Sequence, residues 1–219
     1  MSRRIVAVTL DNLADLPRRC RSCVFWELDP VALSRAEEAG DTAFEKEAWV
    51  SATLLEWGSC GKLAYVDGVP AGYVLFAPPA LVPRSVAFPT SPVSADAVLL
   101  MTAAVVEEFT GQGLGRVLVQ SVAKDLVRRG VRAIEAFADA DAGADTGGDT
   151  PGARGHCVLP AGHLLAVGFK TVRPHPRWPR LRLELKSTAS WREDVEVALD
   201  RLLGSLTSES LLRPVGARS

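Results

Sequence analysis

The most regular apolar repeat in the chain predicts a helix. Leucine or valine recurs every four residues at Leu114, Leu118, Val122 and Leu126, so these side chains are expected on one helical face. Two arginines and then Gly130 follow. This ending is typical of a helix C-terminus, because basic side chains and glycine both suit the last turn.

A second repeat predicts a helix over Thr42–Trp57. Thr42 is followed three positions later by Glu45, the order of a capping box, in which a hydroxyl and a carboxylate bind free backbone amides. Gly58 suits the exit because glycine readily adopts a left-handed conformation. The apolar face predicted for this helix consists of Phe44, Ala48, Ala52 and Leu55.

Alternating and continuous apolar runs predict the strands. Residues 62–66 and 71–76 flank Asp67-Gly68, a pair that tolerates the positive φ of a tight hairpin turn. Residues 97–106 are apolar on both faces, as in a central strand covered on both sides. Further strands are expected at residues 5–8, 131–138, 169–173 and 181–186, and a short helix at 160–167. This order predicts one α/β domain.

The remaining segments carry weaker patterns. Between Leu13 and Leu28 we expect an irregular helical stretch punctuated by prolines. Five prolines in residues 78–92 predict an ordered surface loop without regular structure. Glycines and aspartates dominate residues 139–155, a composition typical of a mobile linker.

Composition excludes several classes of protein. The 219 residues include 47% hydrophobic residues, enough to bury a core. Lysine and arginine total 25 against 26 acidic residues, for a net charge of −1, so nothing favours nucleic acid or an anionic membrane as partner. The longest nearly continuous apolar run has ten residues, 97–106, whereas a membrane span needs about 20. We therefore expect a cytoplasmic protein.

The four cysteines do not form a disulfide scaffold in a chain of this size. Cys20 and Cys23 have the spacing of half a zinc site. A second tight pair is missing, and only Cys60 and His156-Cys157, from distant segments, remain to complete one. Small buried or half-buried thiols are the preferred interpretation, and no metal is expected.

The segment with the strongest chemical signal lies between the predicted central strand and the Leu114 helix. It reads Thr110-Gly111-Gln112-Gly113-Leu114-Gly115-Arg116. Glycine leaves backbone amides unshielded, and amides at a helix start suit a phosphate or diphosphate. The pattern fits neither the dinucleotide fingerprint G-x-G-x-x-G nor a P-loop, because Arg116 stands where those motifs need glycine or lysine followed by serine or threonine.

This stretch resembles the acetyl-CoA-binding motif Arg/Gln-x-x-Gly-x-Gly/Ala of the GNAT N-acetyltransferase superfamily, with Gly113 and Gly115 at its small positions. Thr110 departs from the first position of the motif. The Cys-x-x-Cys-x-Phe-Trp-Glu stretch at residues 20–27 resembles an uncharacterised subgroup. The resemblance implies a mixed, mostly antiparallel sheet, flanked by helices and splayed at two central strands, in a domain of residues 1–187 with a helical tail at 188–219.

The resemblance also implies an activity and a cofactor site. It implies transfer of an acetyl group from acetyl-CoA to a primary amine of a small molecule or a protein, by direct attack on the thioester. The residues implied to hold acetyl-CoA through their backbone are Ala104, Val105 and Val106 for the pantetheine arm, and Thr110, Gly111, Gln112, Gly113, Leu114, Gly115 and Arg116 for the diphosphate.

Three residues are candidates for proton transfer. Glu135 and Asp96 border the implied gap and are candidate general bases. The position where many family members place a tyrosine is Leu164, which cannot donate a proton. The neighbouring His163 can, because imidazole titrates near neutrality.

The acceptor and the catalytic competence stay open at this stage. The loss of the tyrosine keeps an alternative: a non-catalytic GNAT-fold protein that binds acyl-CoA as a sensor or scaffold. Trp26 and Glu27 are candidates for lining an acceptor pocket. Aspartates that follow the strand after the gap, at positions 139, 141, 145 and 149, are candidates for attracting a cationic amine. The apolar stripe of a helix at residues 191–206 packs on the domain or forms a homodimer.

Overall fold

The computed structural model describes residues 2–141 and 157–185. Within these ranges eight strands form one sheet in the order β1-β2-β3-β4-β5-β8-β7, with β6 beside β5. The strands are β1 (Arg3–Ala7), β2 (Gly61–Val66), β3 (Val69–Ala77), β4 (Ala97–Val105), β5 (Ala133–Asp139), β6 (Leu159–Pro160), β7 (Lys170–Arg173) and β8 (Arg180–Glu184). Among the described strands, only β4–β5 and β5–β6 pair in parallel. The predicted mixed, mostly antiparallel sheet is therefore confirmed.

Five α-helices flank the sheet within the described residues. They are α1 (Arg18–Arg21), α2 (Pro30–Ala39), α3 (Thr42–Trp57), α4 (Leu114–Arg128) and α5 (Ala161–Ala166). None of these described helices has the length and apolarity that a bilayer crossing needs. Helix α2 was not predicted, although Asp29 caps it by accepting hydrogen bonds from the amides of Val31 and Ala32 and Pro30 begins it.

The sheet has an apolar core on each face. On one face the segment from Leu13 to Val50 covers Leu75 and Leu99. On the other face the predicted stripe of α4 packs against the sheet, and all four of its residues are at most 3% exposed. Two buried faces explain why β4 reads as a continuous apolar run.

The predicted hairpin between β2 and β3 is confirmed. Asp67 and Gly68 have φ angles of 48° and 84°, which glycine and aspartate tolerate better than other residues. Gly72 on β3 serves a different purpose. A Cβ there would lie 2.8 Å from the carbonyl oxygen of Ala104 and 3.3 Å from a methyl group of Leu118. Glycine is therefore what lets α4 and β4 approach β3 closely.

Helix α3 has the predicted bounds, and Gly58 ends it with a left-handed φ of 80°. The predicted apolar face is wrong: Phe44 is 69% exposed and Leu55 is 86% exposed. The buried residues of the helix are Lys46, Val50 and Thr53. The capping box does not form either, because the N-cap residue is Asp41 and no side chain caps the helix.

Because α3 buries Val50 and exposes Leu55, substitutions at these two residues are expected to affect stability differently. Replacing Leu55 with serine is expected to change the free energy of unfolding by less than about 0.5 kcal/mol, because the side chain is already in water. Replacing Val50 with alanine is expected to cost about 2 kcal/mol, because Val50 is completely buried and loses apolar contacts. Urea denaturation of both variants measures the difference. Equal costs would contradict the observed face.

Two predicted features fall outside the described residues. The helical tail at 188–219, including the apolar stripe of residues 191–206, is not among them. Most of the glycine- and aspartate-rich segment 139–155 is also outside, including Asp145 and Asp149.

Candidate functional site

The two central strands pair only over their first residues. The parallel register joins Ala97 to Ala133 and continues to the pair Leu99–Glu135. Beyond it, residues 100–105 of β4 and 136–139 of β5 do not pair with each other. The strands therefore separate, and a gap opens towards the carboxyl end of β4.

A β-bulge in β4 coincides with this separation. Leu75 of β3 lies opposite Thr102, whereas the next residue, Phe76, lies opposite Leu100. Met101 is thus the additional residue. A bulge bends its strand and increases the local twist, which explains why β4 leaves β5 directly after Leu99.

Strand β6 and helix α5 bound the gap at its far end. Strand β8 pairs with one edge of β5. The amide of Ala138 points to the same edge, because it donates to the carbonyl of Pro179, the residue before β8, at 2.9 Å. Because β6 pairs with Ala138 and Asp139, it lies on the opposite edge, which faces β4. Helix α5 begins directly after β6, so its first turn lies next to the gap.

The glycine-rich turn connects the open end of β4 to α4. Gly111 and Gly113 both have a φ of 73°, which side chains other than glycine rarely allow. No backbone N–H group from residue 111 to 116 donates to another described residue. The first such bond runs from Val117 to the carbonyl of Gly113 at 3.2 Å. These free donors lie at the positive end of the α4 dipole, where anions are stabilised.

The space in front of the turn is open. A Cβ atom at Gly111 or at Gly113 would meet no atom of the described residues within 4 Å. The side chains of the turn bend away: Thr110 donates to the carbonyl of Glu107 at 2.7 Å, and Gln112 donates to that of Glu108 at 3.4 Å. The turn therefore presents its main chain, which is the arrangement that suits a phosphate group.

Family comparison agrees with this geometry. A model of the acetyltransferase (GNAT) family matches residues 18–145, more than half of the chain, including the gap strands and the turn. The chain belongs to the GNAT acetyltransferase family. No curated protein sequence matches it.

Solved structures show the same fold as this GNAT chain. PaiA N-acetyltransferase from Thermoplasma acidophilum, in complex with coenzyme A, is 11% identical with a TM-score of 0.54, and the match covers 84% of this chain and 99% of that one. An N-acetyltransferase from Staphylococcus aureus Mu50 is 15% identical with a TM-score of 0.53, covering 85% and 100%. The yncA protein from Salmonella typhimurium, with its cofactor acetyl-CoA, is 16% identical with a TM-score of 0.53, covering 85% and 96%.

The structure places Glu135 and Asp96 in one ion-pair network. Glu135 is completely buried and accepts hydrogen bonds from Arg180 at 2.6 Å, from Arg182 at 3.1 Å and from the amide of Ser94 at 3.1 Å. Arg182 also binds both oxygens of Asp96 at 2.9 Å. The hydrogen bonds from Arg182 hold the pKa of Asp96 below the usual range of an aspartate.

This network favours a structural role over the general-base role predicted for Glu135 and Asp96. Guanidinium groups engage both oxygens of Glu135 and both oxygens of Asp96, so in this arrangement the two carboxylates are occupied by ion pairs instead of facing a substrate amine. Sequence reasoning did not consider Arg180 and Arg182. Their alternation along β8 was a usable signal, because residues two apart on a strand lie on the same face.

His163 and Leu164 take different positions on α5. Leu164 is 1% exposed and packs in the core beneath α4. His163 is exposed, on the helix that starts at the end of the gap. Of the three predicted proton-transfer residues, it is the one whose side chain is open to water without an ion-pair partner among the described residues.

The predicted acceptor residues Trp26 and Glu27 are buried instead. Trp26 is 2% exposed and stacks on Phe88, with ring centroids 5.2 Å apart. Glu27 forms a buried ion pair with Lys46. Of the predicted aspartates, Asp139 is buried, and its side chain accepts a hydrogen bond from the amide of Asp141. The carboxylate of Asp141 is exposed and lies 3.9 Å from the guanidinium group of Arg177.

The cysteines do not form a metal centre among the described residues, where no group of three potential ligands is arranged for a metal ion. Cys60 is buried, which raises its pKa to about 12. Cys20 accepts a hydrogen bond from the hydroxyl of Tyr73 at 2.9 Å. Cys23 lies 2.9 Å from Cys157, sulfur to sulfur. Cys20 and Cys23, whose spacing is that of half a zinc site, thus contact two different partners.

A cavity of about 330 Å³ lies beside the hairpin, lined by Asp15, Arg21, Leu63, Gly72 and Val106 among others. Its size is that of a small-molecule site. Because Leu63 and Gly72 belong to β2 and β3, it lies on the β3 side of β4, whereas the gap lies on the β5 side. The Asp15 carboxylate is already engaged by the hydroxyl of Tyr65.

Proposed function

We propose that this protein transfers an acetyl group from acetyl-CoA to a primary amine, by direct attack of the amine on the thioester. The observation that carries the proposal is the row of free backbone N–H groups at residues 111–116, next to a gap between β4 and β5. The coenzyme A and acetyl-CoA in two structures of the same fold support this placement.

The diphosphate is proposed to bind the amides of the turn, with Arg116 as an additional positive charge in the first turn of α4. The pantetheine arm is proposed to lie along the free edge of β4. The amide of Val106 already donates to the carbonyl of Ala71 at 2.9 Å. Since neighbouring residues of a strand direct their backbone groups to opposite edges, Val105 and Ala103 are the residues that present theirs to the gap.

This alternation refines the role proposed for the β4 backbone. The N–H group of Val105 is the proposed donor to the thioester carbonyl, whose oxygen gains negative charge when the amine attacks. The amide of Val106 is engaged by Ala71 and its carbonyl by the amide of Phe109. The contacts with the pantetheine arm are therefore proposed for Val105 and Ala103 rather than for Ala104 and Val106. The chain then supplies orientation, and a base removes the proton of the ammonium substrate.

His163 is the proposed proton-transfer residue for the departing CoA thiolate, because its exposed imidazole carries an N–H group that can be donated. Leu164, the residue at the family's usual tyrosine position, is apolar and packed in the core. That observation also favours the second candidate function, an acyl-CoA-binding protein that does not catalyse transfer. The cytoplasmic location, the homodimer and the primary-amine acceptor stay predictions.

Two measurements on one preparation separate these functions. We expect millimolar CoA to raise the Tm, because a ligand that binds only the folded state stabilises it. We also expect acetyl-CoA to release free CoA thiol when a panel of primary amines is added, including polyamines, amino acids and peptide N-termini. A rise in Tm without amine-dependent thiol release would select the sensor. No rise in Tm would reject both.

A further inference from the structure

Cys23 and Cys157 bring two thiols into direct contact from distant parts of the chain. Their sulfur atoms lie 2.9 Å apart, across 134 residues of sequence. Both cysteines are free and only half-buried. A thiol pair at this distance, within reach of a small solute, has the arrangement required for thiol–disulfide exchange, in which one sulfur attacks and the other resolves.

Hydrogen bonds hold the backbone at both cysteines. The indole N–H of the buried Trp26 donates to the carbonyl of Cys157 at 2.8 Å. The ammonium group of Lys46 donates to the carbonyl of Cys23 at 3.0 Å and pairs with Glu27 in the core. Buried side chains thus fix the backbone at both cysteines, which holds the two sulfur atoms close together.

The spacing Cys20-x-x-Cys23 indicates a different pair, which the structure does not form. The sulfur of Cys20 accepts the hydroxyl hydrogen of Tyr73 at 2.9 Å. Tyr73 lies on β3, opposite Ala104 of β4. Cys20 therefore contacts Tyr73 of β3, whereas the sulfur of Cys23 contacts that of Cys157.

We propose that Cys23 and Cys157 form a dithiol site that reduces low-molecular-weight disulfides and is itself converted to an intramolecular disulfide. The thiolate of Cys23 attacks one sulfur of the disulfide R–S–S–R, the S–S bond breaks, and the first R–S⁻ leaves and takes up a proton. Cys157 then loses its proton and attacks the Cys23 sulfur, releasing the second R–S⁻. Two electrons pass from the protein to the small disulfide, which becomes two thiols.

The electrostatic environment agrees with these roles. The hydrogen bond from Cys157 lowers the pKa of Cys23 to about 7 and raises the pKa of Cys157. The other charged groups nearby are Lys46, which favours the Cys23 thiolate, and Glu27, which opposes it. Burial raises the pKa of Cys20. Cys23 is therefore the attacking thiolate at neutral pH and Cys157 the resolving thiol.

The proposed site is independent of acetyl transfer and is tested without it. The reduced full-length chain is incubated with 2-hydroxyethyl disulfide at pH 7, quenched with acid and analysed by mass spectrometry. We expect a product that has lost two hydrogen atoms and carries no adduct. Trypsin separates Cys23 in fragment 22–35 from Cys20 in fragment 20–21 and Cys157 in fragment 155–170, so the bridged pair is identified directly. The expected crosslink joins fragments 22–35 and 155–170.

Three serine variants serve as controls, with circular dichroism to show that each is folded. Cys157→Ser is expected to stop at a stable hydroxyethyl adduct on Cys23, and Cys23→Ser to form no bridge. Cys20→Ser is expected to form the same bridge as the parent chain. A crosslink between fragments 20–21 and 22–35, a lasting adduct on Cys23 in the parent chain, or no reaction would each overturn the proposal.

The pH dependence adds a second readout. The rate of adduct formation on Cys23 in a Cys157→Ala variant, which lacks a donor at position 157, is expected to rise steeply up to about pH 8.5, the ordinary thiol pKa, because the hydrogen bond to Cys23 is gone. In the parent chain the rate is expected to level off near pH 7. Identical profiles would contradict the role assigned to Cys157.

Discussion

Replacing Arg116 with glutamate is expected to weaken CoA binding by about 100-fold, which corresponds to roughly 3 kcal/mol. The substitution removes a cation from the turn and adds a carboxylate that itself accepts hydrogen bonds from the free amides of residues 111–116. An acidic side chain in the first turn suits the helix dipole. The variant is therefore expected to be at least as stable as the parent chain while losing the ligand. Titration calorimetry with CoA measures the affinity.

The matched control is Lys124→Glu. It makes the same charge reversal on an exposed residue of the same helix, about 12 Å farther along at 1.5 Å per residue. Beyond roughly one Debye length its effect is largely screened, so the Kd should stay within about threefold. An Arg116→Glu variant that retained full affinity would show that the diphosphate does not bind at this turn. Equal losses in both variants would indicate a general charge effect instead.

The turn could be predicted from sequence because its signal is local. Gly111 and Gly113 lie between an apolar strand and a helix with a four-residue repeat, and the structure places both at left-handed φ angles. The hairpin at Asp67 and the helix end at Gly58 are predictable for the same reason. In each case a few adjacent residues determine the backbone conformation.

The face of α3 could not be predicted, because it depends on a residue far away in the sequence. Lys46 is normally assigned to solvent, but here it is buried against Glu27, and this pair turns the helix so that Leu55 faces water. The β4 bulge at Met101 is a property of strand pairing with β3, and no local pattern marks it. The contact of Cys23 with Cys157 likewise joins segments 134 residues apart, whereas spacing alone indicates Cys20.

The same distinction between local and distant determinants applies to the residues of the candidate site. Cofactor positions follow from the local turn. The role of the carboxylates predicted as general bases, Glu135 and Asp96, depends on the side chains that contact them. Those side chains, Arg180 and Arg182, belong to β8, the last described strand. A place on β5 beside the gap therefore does not determine whether Glu135 acts as a general base, because that role depends on which charged groups contact its carboxylate.

Replacing Glu135 with glutamine is expected to lower the free energy of unfolding by about 3 kcal/mol, because removing one partner of a buried ion pair leaves the other charge uncompensated. Arg180 is 8% exposed; it also binds the carbonyl of Pro92, while Glu135 binds the amide of Ser94. The carboxylate thus ties the proline-rich loop before β4 to β5 and β8. Urea denaturation measures the loss.

Asp96→Asn is the matched control, since it also removes a carboxylate from Arg182. Asp96 is 42% exposed, so water compensates and the cost should be at most about 1 kcal/mol. If Glu135 is structural, amine-dependent CoA release per folded molecule should change little in the glutamine variant. A general base predicts the reverse, a fall in turnover of about 100-fold or more with stability retained. That reversed result would restore Glu135 as the base and require Arg180 and Arg182 to release it when substrate binds.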